Sequence, residues 1–277
     1  MEVRLPAAAW LALTAVALWV GLRWFERAMV FSPMKSLYAH PGTVGLTYES
    51  LWLTAEDGTR LRAWWLPGPR ADSPVMLCLH GNAGNISTRT DKMRIFHDGG
   101  AAQLWIDWRG YGESGGSPSE RGLHIDAQAA WTWLTSVKNI PPARLVVYGE
   151  SLGGGPAAAL ALRAFPSGLI LDSTFTSIRD MAGLLLPWFP ARLVKTRFDN
   201  LAKLPSIACP TLILHSPQDD VIPFGMARLN FAASGAAQKT LVELKGTHNE
   251  GFLETGPAYG AAIKRFLLAL SKPREKV

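Results

Sequence analysis

The residues best suited to chemistry in this sequence form the pentad Gly149-Glu150-Ser151-Leu152-Gly153, a G-x-S-x-G motif. An apolar, strand-like run ends at its first glycine, and a glycine- and alanine-rich, helix-like run follows its last. A serine on such a sharp strand-to-helix turn exposes its hydroxyl in a strained backbone conformation, for which the flanking glycines leave room. The helix that follows points its positive end at the same place. The pentad therefore predicts a nucleophilic serine, Ser151.

A serine hydroxyl is a weak nucleophile, and it needs a general base that is itself oriented by an acid. In this strand–helix arrangement the acid and then a histidine follow the serine along the chain. Only His215 and His248 come after Ser151. His248 lies in a polar loop after the last predicted strand, where the base belongs, whereas His215 ends an earlier strand and is expected to make a local hydrogen bond. We therefore predict His248 as the base.

Three aspartates are candidates for the acid. Asp219 and Asp220 follow the strand that ends in His215, and Asp172 ends the strand before it. The carboxyl ends of parallel strands meet at one edge of a sheet, so a carboxylate from either strand can reach a histidine there. The expected position of the acid favours the pair Asp219 and Asp220, and Asp172 is the alternative.

The tetrahedral intermediate of acyl transfer carries an oxyanion, which needs preorganised hydrogen-bond donors. One donor is expected to be the backbone N–H of Leu152, directly after the serine. The second is expected in the loop "LHGNAGNIS", residues 79–87, where glycines leave the backbone accessible and Asn82 supplies the N–H. Alternatively, the side chains of Asn82 and Asn85 only brace this loop. His80 is expected to hydrogen-bond beneath it.

These residues need a scaffold, and the apolar pattern predicts one. Buried strands are predicted at "PVMLCLH", "AAQLWIDWRG", "ARLVVYG", "SGLILDS", "CPTLILHS" and "KTLVELKG", alternating with helices such as "HIDAQAAWTWLTSV" and "AYGAAIKRFLLALSK". Two earlier strands flank the turn Asp57-Gly58 as a hairpin. Apolar strands that alternate with helices predict an α/β fold, with a mostly parallel central sheet covered by helices on both faces.

The segment 173–206, between two predicted core strands, is longer than an ordinary crossover and rich in Leu, Trp and Phe. This segment has two interpretations. One is a crossover helix followed by an ordered loop. The other is a small cap over the site, which would offer an apolar wall to a substrate.

The N-terminus predicts a membrane anchor. Residues 5–22 carry no charge, and Arg4 and Arg23 flank them. As a helix they span about 27 Å, close to the hydrocarbon thickness of a bilayer. A signal peptide usually has a shorter apolar region followed by small residues, whereas "LWVGLRWFER" ends this one. We predict an anchor at 1–28 and a catalytic domain at 29–277, with a cleaved signal or a buried helix as alternatives. The flanking charges leave the side of the membrane open.

The composition excludes several classes of function. The length of 277 residues suits one large α/β domain or two small domains, and a composition that is 48% hydrophobic and 18% charged argues against disorder. The net charge of +6 comes without a dense Lys/Arg run, so no nucleic-acid partner is expected. No Cys/His cluster has metal-ligand spacing, and the glycine-rich loops lack the lysine of a phosphate-binding loop. We therefore expect neither a metal nor an organic cofactor.

Motifs along most of the chain resemble the α/β-hydrolase superfamily. They are most similar to its membrane-anchored branch marked by an HGNAGN loop, whose eukaryotic members include protein depalmitoylases. The matching stretches, in the family's order, are "FSP", "AEDGTRLRAWWLP", "LHGNAGN", "IDWRGYGESGGSPSE", "YGESLGGGPA", "LILDSTFTSIRDMA", "HSPQDDVIPF" and "GTHNEGF". The resemblance implies Ser151, Asp219 and His248 as a catalytic triad, with backbone N–H donors at Asn82 and Leu152.

The resemblance also implies a function. Together with the anchor and the apolar "LLLPWFP" segment, it favours hydrolysis of carboxylic ester or thioester bonds in lipid-like or acylated substrates. Peptidase or amidase activity on small peptides is the enzymatic alternative. A non-catalytic, membrane-tethered scaffold is the alternative from a different class, and the complete triad argues against it. The chain departs from the family at Ser216-Pro217, where a glycine commonly follows the histidine of the acid loop.

Overall fold

The computed structural model describes residues 6–270 of the chain. Eight strands form one sheet: β1 (Glu49–Thr54), β2 (Arg60–Leu66), β3 (Val75–Leu79), β4 (Ala102–Ile106), β5 (Leu145–Glu150), β6 (Gly168–Asp172), β7 (Thr211–His215) and β8 (Lys239–Glu243). Their order across the sheet is β1-β2-β4-β3-β5-β6-β7-β8. β2 pairs antiparallel with β1 and β4, and the other neighbouring pairs are parallel. The mostly parallel sheet predicted from the sequence is confirmed.

The central strands show why the pattern is readable. β3, β4, β6 and β7 are buried at every residue, and β5 is buried at all but Glu150. A strand covered on both faces has no solvated side, so it appears in the sequence as a continuous apolar run. The hairpin of β1 and β2 also forms, and its turn holds Gly58 at a φ of 80°, which glycine adopts without strain.

Helices cover both faces of the sheet. Within residues 6–270 the α-helices are α1 (Ala7–Val30), α2 (Thr90–Asp98), α3 (Glu120–Thr132), α4 (Gly154–Ala164), α5 (Ile178–Leu185), α6 (Asn200–Lys203), α7 (Phe224–Ala233), α8 (Gly251–Thr255) and α9 (Pro257–Leu270). Leu123, Ala157 and Met226 bring α3, α4 and α7 into the core on one face. Phe96 and Ile263 bring α2 and α9 into the core on the other.

The apolar N-terminal stretch lies in α1, which continues to Val30 and is 24 residues long. This helix is long and apolar enough to cross a membrane, and none of its residues is buried. Its C-terminal end meets the domain, because Phe31 packs edge-on against Phe198 with ring centroids 6.4 Å apart. α1 therefore leaves the domain as an exposed apolar helix.

The segment 173–206 contains α5, a turn, the 3₁₀ helix Ala191–Leu193 and then α6. α5 and the turn after it expose Leu184, Leu185 and Trp188 by 56%, 63% and 76%. Large apolar side chains exposed together are unusual on a soluble domain and mark surfaces that contact other molecules. The crossover between β6 and β7 therefore carries an apolar outer surface.

Candidate active site

Ser151 stands on the turn between β5 and α4, with a backbone φ of 48°. A non-glycine residue in this left-handed region is strained by about 1–3 kcal/mol, and such strain concentrates at functional sites. Gly149 and Gly153, the two glycines of the pentad, allow the turn to pack closely against neighbouring residues. A Cβ on Gly153 would lie 2.0 Å from the carbonyl oxygen of Leu79, and one on Gly149 would lie 2.6 Å from the Cβ of Ala157. Only glycine fits at either position without displacing its neighbours.

The structure brings Ser151, His248 and Asp219 together. The Nε2 of His248 lies 3.0 Å from the Oγ of Ser151, and its Nδ1 lies 2.7 Å from the Oδ2 of Asp219. The three side chains come from the ends of β5, β8 and β7, which meet at the carboxyl edge of the sheet. A base within hydrogen-bond reach of a hydroxyl, itself held by a carboxylate, is the geometry of an activated nucleophile.

The Asp219 side chain is buried and held in its ionised form. Burial raises the pKa of this carboxyl, but hydrogen bonds from His215, His248 and the backbone N–H of Ile222 outweigh burial, so the pKa lies well below its ordinary value. Its Oδ1 accepts the N–H groups of Val221 and Ile222 at 2.9 and 2.7 Å. A carboxylate fixed by backbone donors can hold the His248 ring in one orientation.

The departure at Ser216-Pro217 forms part of the turn that aims this carboxylate. The Oγ of Ser216 accepts the N–H of Gln218 at 3.0 Å, and the carbonyl oxygen of Ser216 accepts the N–H of Asp219 at 3.2 Å. A serine that bonds the backbone two residues ahead stabilises a tight turn. Ser216 therefore supports the acid loop by a hydrogen bond that a glycine would not make.

The other two aspartates lie elsewhere. The Oδ1 of Asp220 accepts the backbone N–H of His248 at 3.0 Å, so this residue positions the histidine loop rather than the imidazole ring. Asp172, the last residue of β6, is buried against α2 and α9, 2.9 Å from the Nζ of Lys92 and 2.7 Å from the hydroxyl of Tyr259. Of the three candidates, only Asp219 contacts the His248 ring.

The two predicted backbone donors lie on either side of Ser151. Leu152 is the second residue of the short 3₁₀ helix Ser151–Gly153, so no carbonyl of that helix precedes its N–H by a turn. The loop after β3 approaches closely, since a Cβ on Gly81 would lie 3.3 Å from the Cβ of Ser151. Among the described residues, the N–H of Asn82 donates to no protein acceptor. Both groups are available to an oxyanion near Ser151.

The side chains of the two loop asparagines act as braces. The Oδ1 of Asn82 accepts the backbone N–H of Ser32 and the hydroxyl of Tyr111, each at 2.8 Å. The Nδ2 of Asn85 donates to the carbonyl oxygens of Met34 and of Ser36, at 3.1 and 2.8 Å. Tyr111 belongs to the "DWRGYGESGGSP" stretch, which therefore contacts the loop beside Ser151.

The two other histidines near the site lie in the core. His80 is buried, and its Nδ1 lies 2.7 Å from the carbonyl oxygen of Gly81, as its expected role beneath the loop requires. The Nε2 of His215 lies 2.8 Å from the carbonyl oxygen of Ile222 and also 3.2 Å from the Oδ2 of Asp219. The second contact was not predicted, because a strand-end histidine in a sequence does not reveal which side its ring takes.

A cluster of charged side chains around Glu150, next to Ser151 in the chain, was not predicted from the sequence. Glu150 pairs with the Nε of Arg89 at 2.9 Å and with the Nζ of Lys92 at 3.3 Å, and the same Nζ pairs with Asp172. Burial raises the pKa of Glu150, but the charges of Arg89 and Lys92 outweigh burial and lower it. The sequence signal that could have indicated the cluster is the pair Arg89 and Lys92, three residues apart, shortly after the glycine-rich loop at 79–87.

A cavity of about 340 Å³ opens over Ser151 and His248. Its walls are mostly apolar, and the segment 173–206 provides one of them through Met181, Leu185 and neighbouring residues. Such a space can hold the apolar part of a small substrate against the serine. Among residues 6–270, no group of three or more His, Cys, Asp or Glu side chains is arranged to hold a metal ion.

Comparison with known proteins places this chain in a family. A family model described as the alpha/beta hydrolase fold matches residues 74–204. Protein Rv2307c of Mycobacterium tuberculosis is 32% identical over 265 residues, which cover 95% of this chain and 94% of that protein. The alpha/beta hydrolase domain-containing protein WAV2 of Arabidopsis thaliana is 34% identical over an alignment of 278 positions, which covers 91% of this chain and 90% of that protein.

Solved structures show the same fold. The esterase Pf2001 of Pyrococcus furiosus matches with a TM-score of 0.74 and 17% identity, over 88% of this chain and 98% of that chain. At this level of identity the match concerns the fold alone. The matches by sequence and by structure agree on the fold. The chain belongs to the alpha/beta hydrolase family, and it is a hydrolase of that fold.

Proposed function

We propose that this protein is a serine hydrolase that cleaves carboxylic ester or thioester bonds in lipid-like or acylated substrates. One observation carries the proposal: the His248 ring lies within hydrogen-bond distance of both the Ser151 hydroxyl and the Asp219 carboxylate. The strained φ of Ser151 and the apolar cavity over it support the same conclusion.

In the first half of the proposed reaction, the Oγ of Ser151 attacks the substrate carbonyl carbon while the Nε2 of His248 takes the hydroxyl proton. The N–H groups of Leu152 and Asn82 hold the developing oxyanion, and each donor of this kind contributes roughly 3–4 kcal/mol. The bond to the leaving oxygen or sulfur then breaks, and His248 protonates the leaving group. The product of this half is an acyl-enzyme on Ser151.

In the second half, water takes the place of the leaving group. His248 removes a proton from the water as its oxygen attacks the acyl carbon, and the proton then returns to Ser151 as the acid leaves. Asp219 accepts the N–H at Nδ1 of His248 throughout, which keeps Nε2 as the base and stabilises the imidazolium. The buried, ionised state of Asp219 suits this role.

The cavity supports an acyl substrate rather than a peptide. Its lining is largely Leu, Ile, Met, Phe and Val, from the segment 173–206 and from α1. A peptide would need convergent hydrogen-bond partners for its backbone groups, because buried polar groups without partners are unfavourable. We propose that 173–206 is a cap and that its inner surface binds the acyl chain.

A fluorophosphonate probe tests the nucleophile. Full-length protein in its membrane fraction should be labelled, Ser151→Ala should not, and the exposed-serine control Ser117→Ala should label like the wild type. No labelling of the folded wild type would overturn the proposed function. The substrate class is then tested with p-nitrophenyl esters of increasing chain length beside a dipeptide-amide series. A preference for the amides would overturn the acyl-substrate proposal in favour of a peptidase.

We also propose that residues 1–28 anchor the protein in a membrane and that 29–277 form the hydrolase domain. The exposed, apolar surface of α1 supports the anchor. Extraction of membranes with alkaline carbonate should leave the full-length protein in the pellet, because carbonate releases proteins held by surface charge alone. Release into the supernatant would overturn the proposed anchor.

A further inference from the structure

The anchor helix itself forms part of the cavity that contains Ser151. Leu22, Phe25 and Met29 of α1 line this cavity together with residues of the segment 173–206. These residues are spaced three and four apart, so they share one face of the helix. A helix that only tethered a domain would have no reason to direct three large apolar side chains into the space over a candidate nucleophile.

Polar contacts fix α1 in this position. A guanidinium N–H of Arg23 donates to the carbonyl oxygen of Leu193 at 2.7 Å. The carboxylate of Glu26 accepts the backbone N–H groups of Lys195 and Thr196, at 3.2 and 2.6 Å. All three partners of Arg23 and Glu26 belong to the segment 173–206, so the helix and that segment are joined along the cavity. The two form a single groove rather than two independent surfaces.

The rim of the groove is apolar. Phe25, Met29 and Leu185 line the cavity and are nevertheless exposed by 44%, 55% and 63%. Leu184 and Trp188 extend this exposed surface outward from Leu185. Large apolar groups that stay exposed at the mouth of a cavity are unfavourable in water, whereas they are stabilised against the acyl region of a bilayer.

The groove begins where the uncharged stretch ends. Residues 5–22 carry no charge, and the first cavity-lining residue of α1 is Leu22. From Leu22 to Met29 the helix rises about 10 Å, so the cavity occupies the two turns next to the apolar span. An acyl chain lying along α1 would therefore pass from the bilayer to Ser151 over apolar side chains.

We propose that α1 is a specificity-determining wall of the substrate site, in which Leu22, Phe25 and Met29 hold the long acyl chain of the substrate. This inference rests on the proposed serine hydrolase function. It assigns to the anchor a second role, in choosing the substrate by the length of its acyl chain.

The test compares p-nitrophenyl dodecanoate with p-nitrophenyl butanoate, using full-length protein in one mixed-micelle preparation. The ratio of kcat/KM for the dodecanoate to that for the butanoate should fall about tenfold in Phe25→Ala/Met29→Ala, because the long chain loses its contacts there. Met29→Trp, which fills the groove instead of emptying it, should lower the same ratio. The control Leu11→Ala/Leu18→Ala removes exposed apolar bulk from α1 outside the cavity and should leave the ratio unchanged.

Labelling of Ser151 by a short-chain fluorophosphonate distinguishes failure of the inference about α1 from failure of the proposed hydrolase function. If every variant is labelled like the wild type and the ratio does not change, α1 is not a wall of the site, and the inference is overturned while the hydrolase function stands. If the control lowers the ratio as much as the cavity variants do, the effect comes from the anchor as a whole, and the inference is again overturned. Absence of labelling in the wild type contradicts the hydrolase function itself.

Discussion

The backbone N–H of Ser32, two residues beyond α1, donates to the Oδ1 of Asn82 at 2.8 Å. The end of the candidate membrane helix is therefore bonded to the loop that carries a proposed oxyanion donor. The hydroxyl of Tyr111 donates to the same oxygen. One amide side chain thus fixes the backbone of its own residue against two separate parts of the chain.

Asn82→Ala should lower kcat roughly 10- to 100-fold with a smaller change in KM, because the loop loses both bonds and the backbone donor moves away from the oxyanion. Steady-state kinetics on a short-chain ester would measure the effect. Tyr111→Phe removes one of the two bonds and should give a smaller decrease. An unchanged kcat in Asn82→Ala would mean that the side chain does not position this donor.

Asp219→Asn should lower kcat about 10⁴-fold, the magnitude known for the corresponding change in a serine protease, because an amide can favour the wrong imidazole tautomer. Asp220→Asn is the matched control, since the neighbouring side chain accepts the backbone N–H of His248 and does not hydrogen-bond its ring. It should lower kcat far less. Equal effects of the two substitutions would contradict the assignment of Asp219 as the acid.

Lys92→Met should destabilise the fold by about 3–5 kcal/mol, because it leaves the buried carboxylate of Asp172 without its cationic partner, whereas Glu150 keeps Arg89. Lys92 lies 2.9 Å from Asp172 and 3.3 Å from Glu150. Urea unfolding would give the free energy of unfolding. The double variant Lys92→Met/Asp172→Asn should be more stable than Lys92→Met, because it no longer buries an unpaired carboxylate. If the double variant has a lower free energy of unfolding than Lys92→Met, Asp172 does not depend on Lys92.

The pH dependence of stability should reveal the charge cluster. The pKa of folded Glu150 lies below its ordinary value, so its ionisation stabilises the folded state above the unfolded pKa, about 4.3, and this contribution disappears as the pH falls through the folded pKa. The free energy of unfolding of the wild type should therefore exceed that of Glu150→Gln most at neutral pH, with the gap narrowing in acid. A difference between the two proteins that does not change with pH would contradict this role of Glu150.

Gly153→Ala should destabilise the protein by about 1–3 kcal/mol or more, because the new Cβ meets backbone atoms that cannot move aside. Gly183 in α5 is the matched control, since no atom lies within 4 Å of a Cβ built there. Gly183→Ala should stabilise α5 by up to about 1 kcal/mol through helix propensity. Thermal unfolding of both variants would measure the contrast, and equal midpoints would contradict the packing argument.

Much of this protein is readable from local sequence. The buried strands, the hairpin at Asp57-Gly58 and the alternation with helices are encoded by apolar runs and turn residues, because burial and turn geometry act over a few residues. The turn at Ser151 is readable for the same reason, since flanking glycines are needed wherever backbones approach this closely. The order of the candidate acid and base along the chain was expected from the strand–turn–helix arrangement of the G-x-S-x-G motif.

Which groups meet across the chain was decided by tertiary structure. Asp219 and Asp220 are neighbours in sequence, and only the direction of the turn after β7 sends one carboxylate to the His248 ring and the other to its backbone. The approach of Lys92 to Asp172 and of α1 to Ser151 depends on how distant elements pack. The sequence alone determined the fold and the residue types of the site, because these follow from local patterns. The tertiary structure decided the partners, because a side chain's direction in a loop depends on contacts made far away along the chain.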